Sequence, residues 1–306
     1  MNLRIGIPSK GRLAELAAEL LVEAGLKFRR QERSLFARVR DMPIDVTFLR
    51  TDDIPVLCAE GAIEMGVTGG DLVDEAGVHV TKRLELGLGN CRLAVCVPEK
   101  GHDPLGLARF LPTRRSATAQ PYDSIEKPAD LNGLRIATSF PNITRAYLKR
   151  HNVNAHIVEL TGSVEVMIAL QVADAIVDLV ETGSTLAANQ LRILDEIGQY
   201  ESVLIQNPNV DTLFFETADR VVRRLEGVVI ARSYSLLEYN VPEAKLAAAE
   251  KITPGFESPT ISKLEEAGWF AIRAMVKRSE VIEIMEQLDA LGATAILETA
   301  ITNCRL

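Results

Sequence analysis

Two carboxylates and three hydroxyls fall within eight positions of this chain: Asp178, Glu181 and the run Thr182-Gly183-Ser184-Thr185. Gly183 permits a tight turn, and small hydroxyl residues cap a helix while several backbone N–H groups point at one spot. A phosphate fits such a spot. Carboxylates beside a phosphate cradle suit a different partner, sugar hydroxyls or a metal ion. An ordinary capped strand-to-helix turn reads from the same residues, so the neighbours must decide. Lys10 and Arg12 flank Gly11 after the first strand, where they either meet phosphates or sit as solvated charge; the spaced glycines and Lys-Ser/Thr pair of a P-loop are absent. Arg50 stands at the exit of an apolar run, where open α/β sheets bind ligands, with a salt bridge to Asp52 or Asp53 as its plainer use. G-V-T-G-G-D, residues 66–71, does not match the dinucleotide fingerprint but lets a ligand approach the backbone.

The elements that must position these groups follow from periodicity. Ala175, Ile176, Val177, Leu179 and Val180 predict a strand buried on both faces of a parallel sheet, delivering Asp178 and Glu181 to its end. A strand over 3–8 leads to a helix with Leu13, Leu16, Ala17, Leu20 and Leu21 at helical spacing. Strands over 33–40 and 44–49 pair around Asp41-Met42-Pro43; Asp52 or Asp53 caps the next helix, with Pro55 in its first turn. Residues 65–73 read as another strand, glycine-rich turn and helix, and 91–97 as an apolar strand. The polar stretch 99–132 reads as a long surface loop with a short helix near 105–111 and solvated Arg114 and Arg115. Beyond it, strands at 135–138, 155–160 and 175–180 each end in Ser or Thr with Pro or Gly before a helix. Several such turns at one sheet edge converge their helix N-termini on a shared crevice, so a cleft between two α/β lobes is the economical architecture. Residues 218–225 read as a charged helix and linker, and 234–301 alternate as βαββαβ, the ferredoxin-like split unit.

Composition narrows the partners. The 306 residues carry a formal net charge of −8 and 47% hydrophobic content. That excludes a broad nucleic-acid footprint and leaves small molecules. Cys58, Cys91, Cys96 and Cys304 lack zinc spacing and are read as reduced thiols. Without a leader or a membrane-length apolar run, the expected location is the cytoplasm.

D-A-I-V-D-L-V-E-T-G-S-T-L, with R-I-A-T-S-F-P-N and T-G-S-V-E-V upstream, I-P-S-K-G-R-L at the start and P-G-F-E-S-P-T-I near the end, resembles the long form of ATP phosphoribosyltransferase in motif order over nearly the whole chain. The loop 104–128 is longer than that family usually carries. The resemblance implies an α/β fold: a two-lobed periplasmic-binding-protein-like catalytic core, lobe I from 1–90 and 187–217 and lobe II from 91–186, plus a C-terminal βαββαβ ACT-like regulatory domain over 226–306. It implies magnesium-dependent transfer of phosphoribosyl from phosphoribosyl pyrophosphate to N1 of ATP, the first step of histidine biosynthesis. Asp178, Glu181, Thr182, Gly183, Ser184 and Thr185 would hold phosphoribosyl pyrophosphate; Lys10, Arg12 and Asp71 would serve ATP and pyrophosphate; Arg33 and Arg50 would be catalytic, steadying the leaving group. No metal ligands are assigned. Histidine would inhibit at Asn240, Phe256, Ser258, Thr260 and Ala295, in subunits assembling as a homo-hexamer. Some members place an aspartate where Asn240 stands, and an amide offers a cationic effector only a dipole. A two-lobed sensor or solute-binding protein without catalysis is the alternative, but it has no use for two acids beside a phosphate turn.

Overall fold

The computed structural model describes residues 1–31, 34–100 and 125–305. Arg33, the helix expected at 105–111, Arg114 and Arg115 lie outside them. The chain forms two compact units, one of Met1–Ala17, Arg30–Arg38 and Pro43–Thr212, the other of Ala18–Arg29, Val39–Met42 and Leu213–Leu306.

The first unit holds two sheets. Apolar residues on both faces of L-R-I-G-I-P and I-D-V-T-F-L bury β1 (Leu3–Pro8) and β3 (Ile44–Leu49), as expected of central parallel strands. The helix α1 (Arg12–Glu23) and the short edge strand β2 (Phe36–Arg38) lie between them in sequence, and α2 (Ile54–Ala59), β4 (Met65–Gly69), α3 (Gly70–Ala76) and β5 (Thr81–Glu85) follow. The chain then builds a second sheet from β6 (Cys91–Pro98), β7 (Arg135–Thr138), α4 (Pro141–Arg150), β8 (His156–Glu159), α5 (Val166–Ala169), β9 (Ala175–Val180), α6 (Ser184–Ala188) and β10 (Leu191–Tyr200). It returns to the first sheet as β11 (Ser202–Gln206). The orders are β2-β3-β1-β4-β11-β5 and β10-β6-β9-β7-β8.

Two readings need correction. The strand after Asp174 runs parallel to β7 but antiparallel to β6, so its sheet is mixed, and Leu179 near its end is exposed. And β10, which the expected boundary at 187 put in the first lobe, pairs with β6 from Leu191 to Tyr200; the return to the first sheet begins at Ser202. Strand pairing across a hundred residues leaves no mark in local periodicity.

Both lobes tie their strands with the same device at the end away from the candidate site. Arg4 of β1 grips Glu64, just ahead of β4, through Nε at 3.1 Å and its own amide at 2.6 Å, and reaches the Gly61 carbonyl. Arg135 of β7 grips Asp174, just ahead of β9, through Nε and its amide, each at 3.0 Å, and reaches the Gln171 carbonyl. Both carboxylates are buried, so each requires such a partner.

The second unit contains α7 (Phe215–Ser233), β12 (Tyr234–Pro242), α8 (Leu246–Ile252), β13 (Thr260–Lys263), β14 (Trp269–Lys277), α9 (Val281–Leu291) and β15 (Thr294–Ala300). Its four strands form an antiparallel sheet ordered β13-β14-β12-β15, with the expected βαββαβ succession. The helix expected at 218–225 extends to Ser233 and leaves no linker: Ala218, Val221, Leu225, Val228 and Ala231 recur at helical spacing and are buried. The charges between them mask this stripe in the sequence. Arg232 Nε of α7 donates to Glu23 Oε2 at 2.8 Å, within the same unit.

Candidate active site

At the C-terminal ends of β1, β3, β4 and β9 stand Lys10 and Arg12, Arg50, Asp71, and Glu181 in turn. After β9, Gly183 adopts φ 78° and is the N-cap of α6. That is left-handed backbone, which a Cβ strains whatever the space around it. The N-cap residue itself offers no side-chain cap, and the Thr182 hydroxyl accepts the Ser184 amide only at 3.4 Å. Instead, the Thr182 and Ser184 hydroxyls meet at 3.0 Å, and the amides of Gly183 and Thr185 donate to no acceptor among the described residues. Thr182, Ser184 and Thr185 are exposed, so the turn is open to a ligand.

Asp178 is half-buried and its Oδ1 accepts the Leu179 amide at 2.8 Å. Burial pushes its carboxyl up, the hydrogen bond opposes, and Glu165 adds to the rise. Glu181 is exposed and accepts from Arg12 Nη1 at 2.9 Å, so a cation of the first lobe touches the acidic turn of the second. Both side chains are more than half exposed, which keeps the pair weak and exchangeable.

Asp71 is only 6% exposed. Burial raises its carboxyl, its own amide and that of Leu72 hold it down, and Asp52 and Asp74 raise it further. It packs against Gly69 so closely that a Cβ there would meet Asp71 Oδ1 at 2.1 Å. Arg50 is exposed and pairs with no described carboxylate, so the salt bridge to Asp52 or Asp53 is not formed. Nor do Asp52 and Asp53 cap: the helix start at Ile54 carries Pro55 but no side-chain cap. Lys10 is exposed.

A cavity of about 230 Å³ is lined by Arg12, Thr51, Gly69, Asp71, Cys91 and Glu181. A second of about 510 Å³ is lined by Lys82, Asn90, Arg92, Gln199 and Tyr200, and both touch Cys91, Glu181 and Glu201. Asp178 and the 182–185 turn are on neither wall. The structure thus joins Arg12, Asp71 and Glu181 around one space and leaves the hydroxyl turn beside it.

Sequence reasoning missed several neighbours. Arg30 donates to the Ser9 carbonyl at 3.1 Å while its guanidinium lies 4.0 Å over the Phe48 ring, bracing the loop that carries Lys10 and Arg12. Cys91 sits between the cavities with its thiol pushed up to about 11 by burial, then by Asp71 and Glu181; it is a neutral wall group. Glu201, at the return crossing, accepts the Gly87 amide through its carboxylate at 2.6 Å and the Gly70 amide through its carbonyl at 2.9 Å. These contacts join distant segments and have no local signature.

The four cysteines are unpaired thiols, as expected. In the second unit, Asn240, Thr260 and Ala295 line a cavity of about 360 Å³ together with Glu238 and Arg273. Ala295 has φ 49° at a break in the β12–β15 register. Phe256 and Ser258 are not on its wall. Phe256 packs edge-on against Tyr234 at 5.5 Å and lines a separate cavity with Arg223 and Arg305.

Fold and strand ends together define a two-lobed α/β protein that gathers charged side chains at the C-terminal ends of its strands, followed by a small βαββαβ module. Residues 50–227 match the family described as ATP phosphoribosyltransferase, and residues 231–303 match that family's C-terminal domain. The chain is 59% identical over 304 residues to the ATP phosphoribosyltransferase of Rhodopirellula baltica, covering 99% of this chain and 94% of that protein. It is 39% identical over 306 residues to that of Saccharopolyspora erythraea, covering 99% and 100%. Among solved structures it is similar to the ATP phosphoribosyl transferase (HisG:HisZ) complex from Thermotoga maritima, with a TM-score of 0.59 and 29% identity over 74% of this chain and 98% of that one. The chain belongs to the ATP phosphoribosyltransferase family, in the form that carries the C-terminal domain.

Proposed function

We propose that the cleft of this family member joins phosphoribosyl pyrophosphate to ATP with the 182–185 turn on the 5-phosphate, Asp178 and Glu181 on the ribose hydroxyls, and Lys10, Arg12 and Asp71 toward ATP and pyrophosphate. The bond from C1 of the ribose to pyrophosphate breaks as the bond to adenine N1 forms. Charge builds on departing pyrophosphate while the ribose becomes oxocarbenium-like. Adenine N1 already offers a lone pair, so no strong base is required; alignment of two substrates and neutralisation of the leaving group carry the catalysis. Arg33 and Arg50 are the proposed neutralising cations. The observation that carries this reading is the contact of Arg12 with Glu181, which sets a phosphate-seeking cation beside an open anion turn.

Magnesium fits as the counterion of the substrate. It is ordinarily bound by one or two carboxylates plus substrate phosphates, and Asp178 and Glu181 offer that donor set; among the described residues no three His, Cys, Asp or Glu side chains converge as an ion site of their own. With pyrophosphate in place it would offset charge on the departing oxygens.

The C-terminal module is proposed to bind histidine as a feedback inhibitor around Asn240, Thr260 and Ala295, with Phe256 and Ser258 on the adjoining turn, in a homo-hexamer of a cytoplasmic biosynthetic enzyme. Among the described residues no helix is long and apolar enough to cross a membrane. The deciding assay mixes protein, ATP, phosphoribosyl pyrophosphate and magnesium. It should show stoichiometric pyrophosphate release with the ultraviolet change of N1-substituted adenine. Release that proceeds equally without ATP overturns the reading.

A further inference from the structure

Helix α3 belongs to the first lobe by chain order, yet two of its side chains, Leu72 and Glu75, are anchored in the second. Leu72 packs against the second-lobe core that contains Leu93, Val95 and Tyr147. Asp74, paired with Lys82 at 3.0 Å, stands near Tyr200 at the end of β10 and adds to the rise that burial gives its phenol. Glu75 makes the densest contact: its Oε1 accepts the Asn142 amide at 2.9 Å, its Oε2 accepts the Ile143 amide at 3.0 Å, and its carbonyl accepts Asn142 Nδ2 at 2.9 Å. Asn142 and Ile143 open α4, the second-lobe helix expected from sequence to aim its N-terminus at a ligand. That N-terminus is taken by a carboxylate from the opposite lobe.

The same helix carries Asp71 in its first turn, and Gly69 and Asp71 form part of the cavity wall shared with Glu181. One rigid turn therefore fixes Asp71 at one end and the second lobe at the other. We infer that Glu75 is a positioning residue for the transfer reaction, clamping α3 to the N-terminus of α4 so that the groups on the first lobe stand at working distance from the 178–185 segment. This rests on the substrate placement proposed above. The Arg12–Glu181 pair does not replace the clamp, because both its side chains are largely in solvent, whereas the carboxylate of Glu75 meets two oriented backbone donors at the positive end of a helix.

Displacing one substrate by a fraction of an ångström to an ångström costs rate more than binding. In the full-length protein, Glu75→Ala should lower kcat between about 10- and 100-fold, change KM for phosphoribosyl pyrophosphate by less than about threefold, and leave the melting temperature within a few degrees. Glu75→Gln, which keeps one acceptor, should recover part of kcat. A kcat within about twofold of the parent in Glu75→Ala overturns the clamp. So does a fall in kcat matched by an equal rise in KM for phosphoribosyl pyrophosphate, which marks damage to the second lobe alone. If Glu75→Ala does not fold, Glu75→Gln decides: a kcat equal to the parent's, or a fall matched by an equal rise in KM, overturns the clamp, and a lower kcat with KM nearly unchanged supports it. Gly183→Ala separates the two readings: if it impairs KM for phosphoribosyl pyrophosphate while both Glu75 variants behave as the parent, the clamp alone is wrong, and if it changes nothing, the substrate placement fails and the clamp's function with it.

Discussion

Asp71 combines near-complete burial with acidic neighbours, and its carboxyl is raised above the ordinary aspartate value of 3.8. A carboxyl raised by folding contributes stability that is present below its unfolded value and lost as pH climbs through the folded one. Asp71→Asn should therefore resist urea better than the parent at neutral pH, with the difference closing in acid, while losing activity; unfolding curves from about pH 3 to about pH 8 check the first claim and turnover the second. A parent that gains stability relative to the variant as pH rises would reverse the sign. Arg50 is exposed and meets no described carboxylate, so Arg50→Ala should cost roughly 100-fold in turnover, the loss typical of one preorganised charge contact, without shifting the melting temperature. At this scale the sequence supplies residue types and their order along the chain: Arg12 and Glu181 stand in motifs legible without a fold, while Asp71 enters through the family resemblance. It does not show that Arg12 touches Glu181, nor the contacts made by Arg30, Glu75 and Glu201, because each joins segments remote in sequence and depends on register.

Among elements, the β9–α6 turn shows how little of a local motif is fixed by side-chain chemistry. Hydroxyl residues were expected to cap α6, but the N-cap is Gly183 in left-handed backbone, and the hydroxyls pair with one another. No atom lies within 4 Å of a Cβ built on Gly183, so Gly183→Ala would be penalised by backbone strain alone, about 1–2 kcal/mol; with the turn displaced, KM for phosphoribosyl pyrophosphate should rise roughly tenfold. The paired arginine clips give a control away from the cleft. Asp174→Ala strips Arg135 of its carboxylate at a buried site and should cost on the order of 2–3 kcal/mol in stability, read by denaturant unfolding, with KM unchanged in the folded fraction. Strands with continuous apolar character were legible: β1, β3, β7 and β9 stand within a residue or two of expectation. Helix α7 was cut short because alternating charge hid its buried stripe, and the placement of β10 was lost because pairing partners are chosen in three dimensions.

For the molecule as a whole, the succession of an α/β core and a βαββαβ module is written in the alternation of periodicities, and the two matched families meet between residues 227 and 231. What stays invisible to a linear reading is convergence within the small module, where Asn240, Thr260 and Ala295 meet at one cavity and Phe256 turns to another. If histidine is held there, Asn240→Asp should tighten it by roughly tenfold, the gain from replacing a neutral hydrogen bond by a charged one; calorimetric titration of the two proteins measures the ratio, and equal affinities would remove Asn240 from the effector site. The return strand β11 has a consequence for biogenesis. It lies between β4 and β5, so a ribosome must translate more than a hundred further codons after β5 has emerged before that strand finds its neighbour. Until then the growing polypeptide shows two unpaired sheet edges, the kind of surface that recruits chaperones or nucleates aggregates, and fragments terminating short of Ser202 should be insoluble.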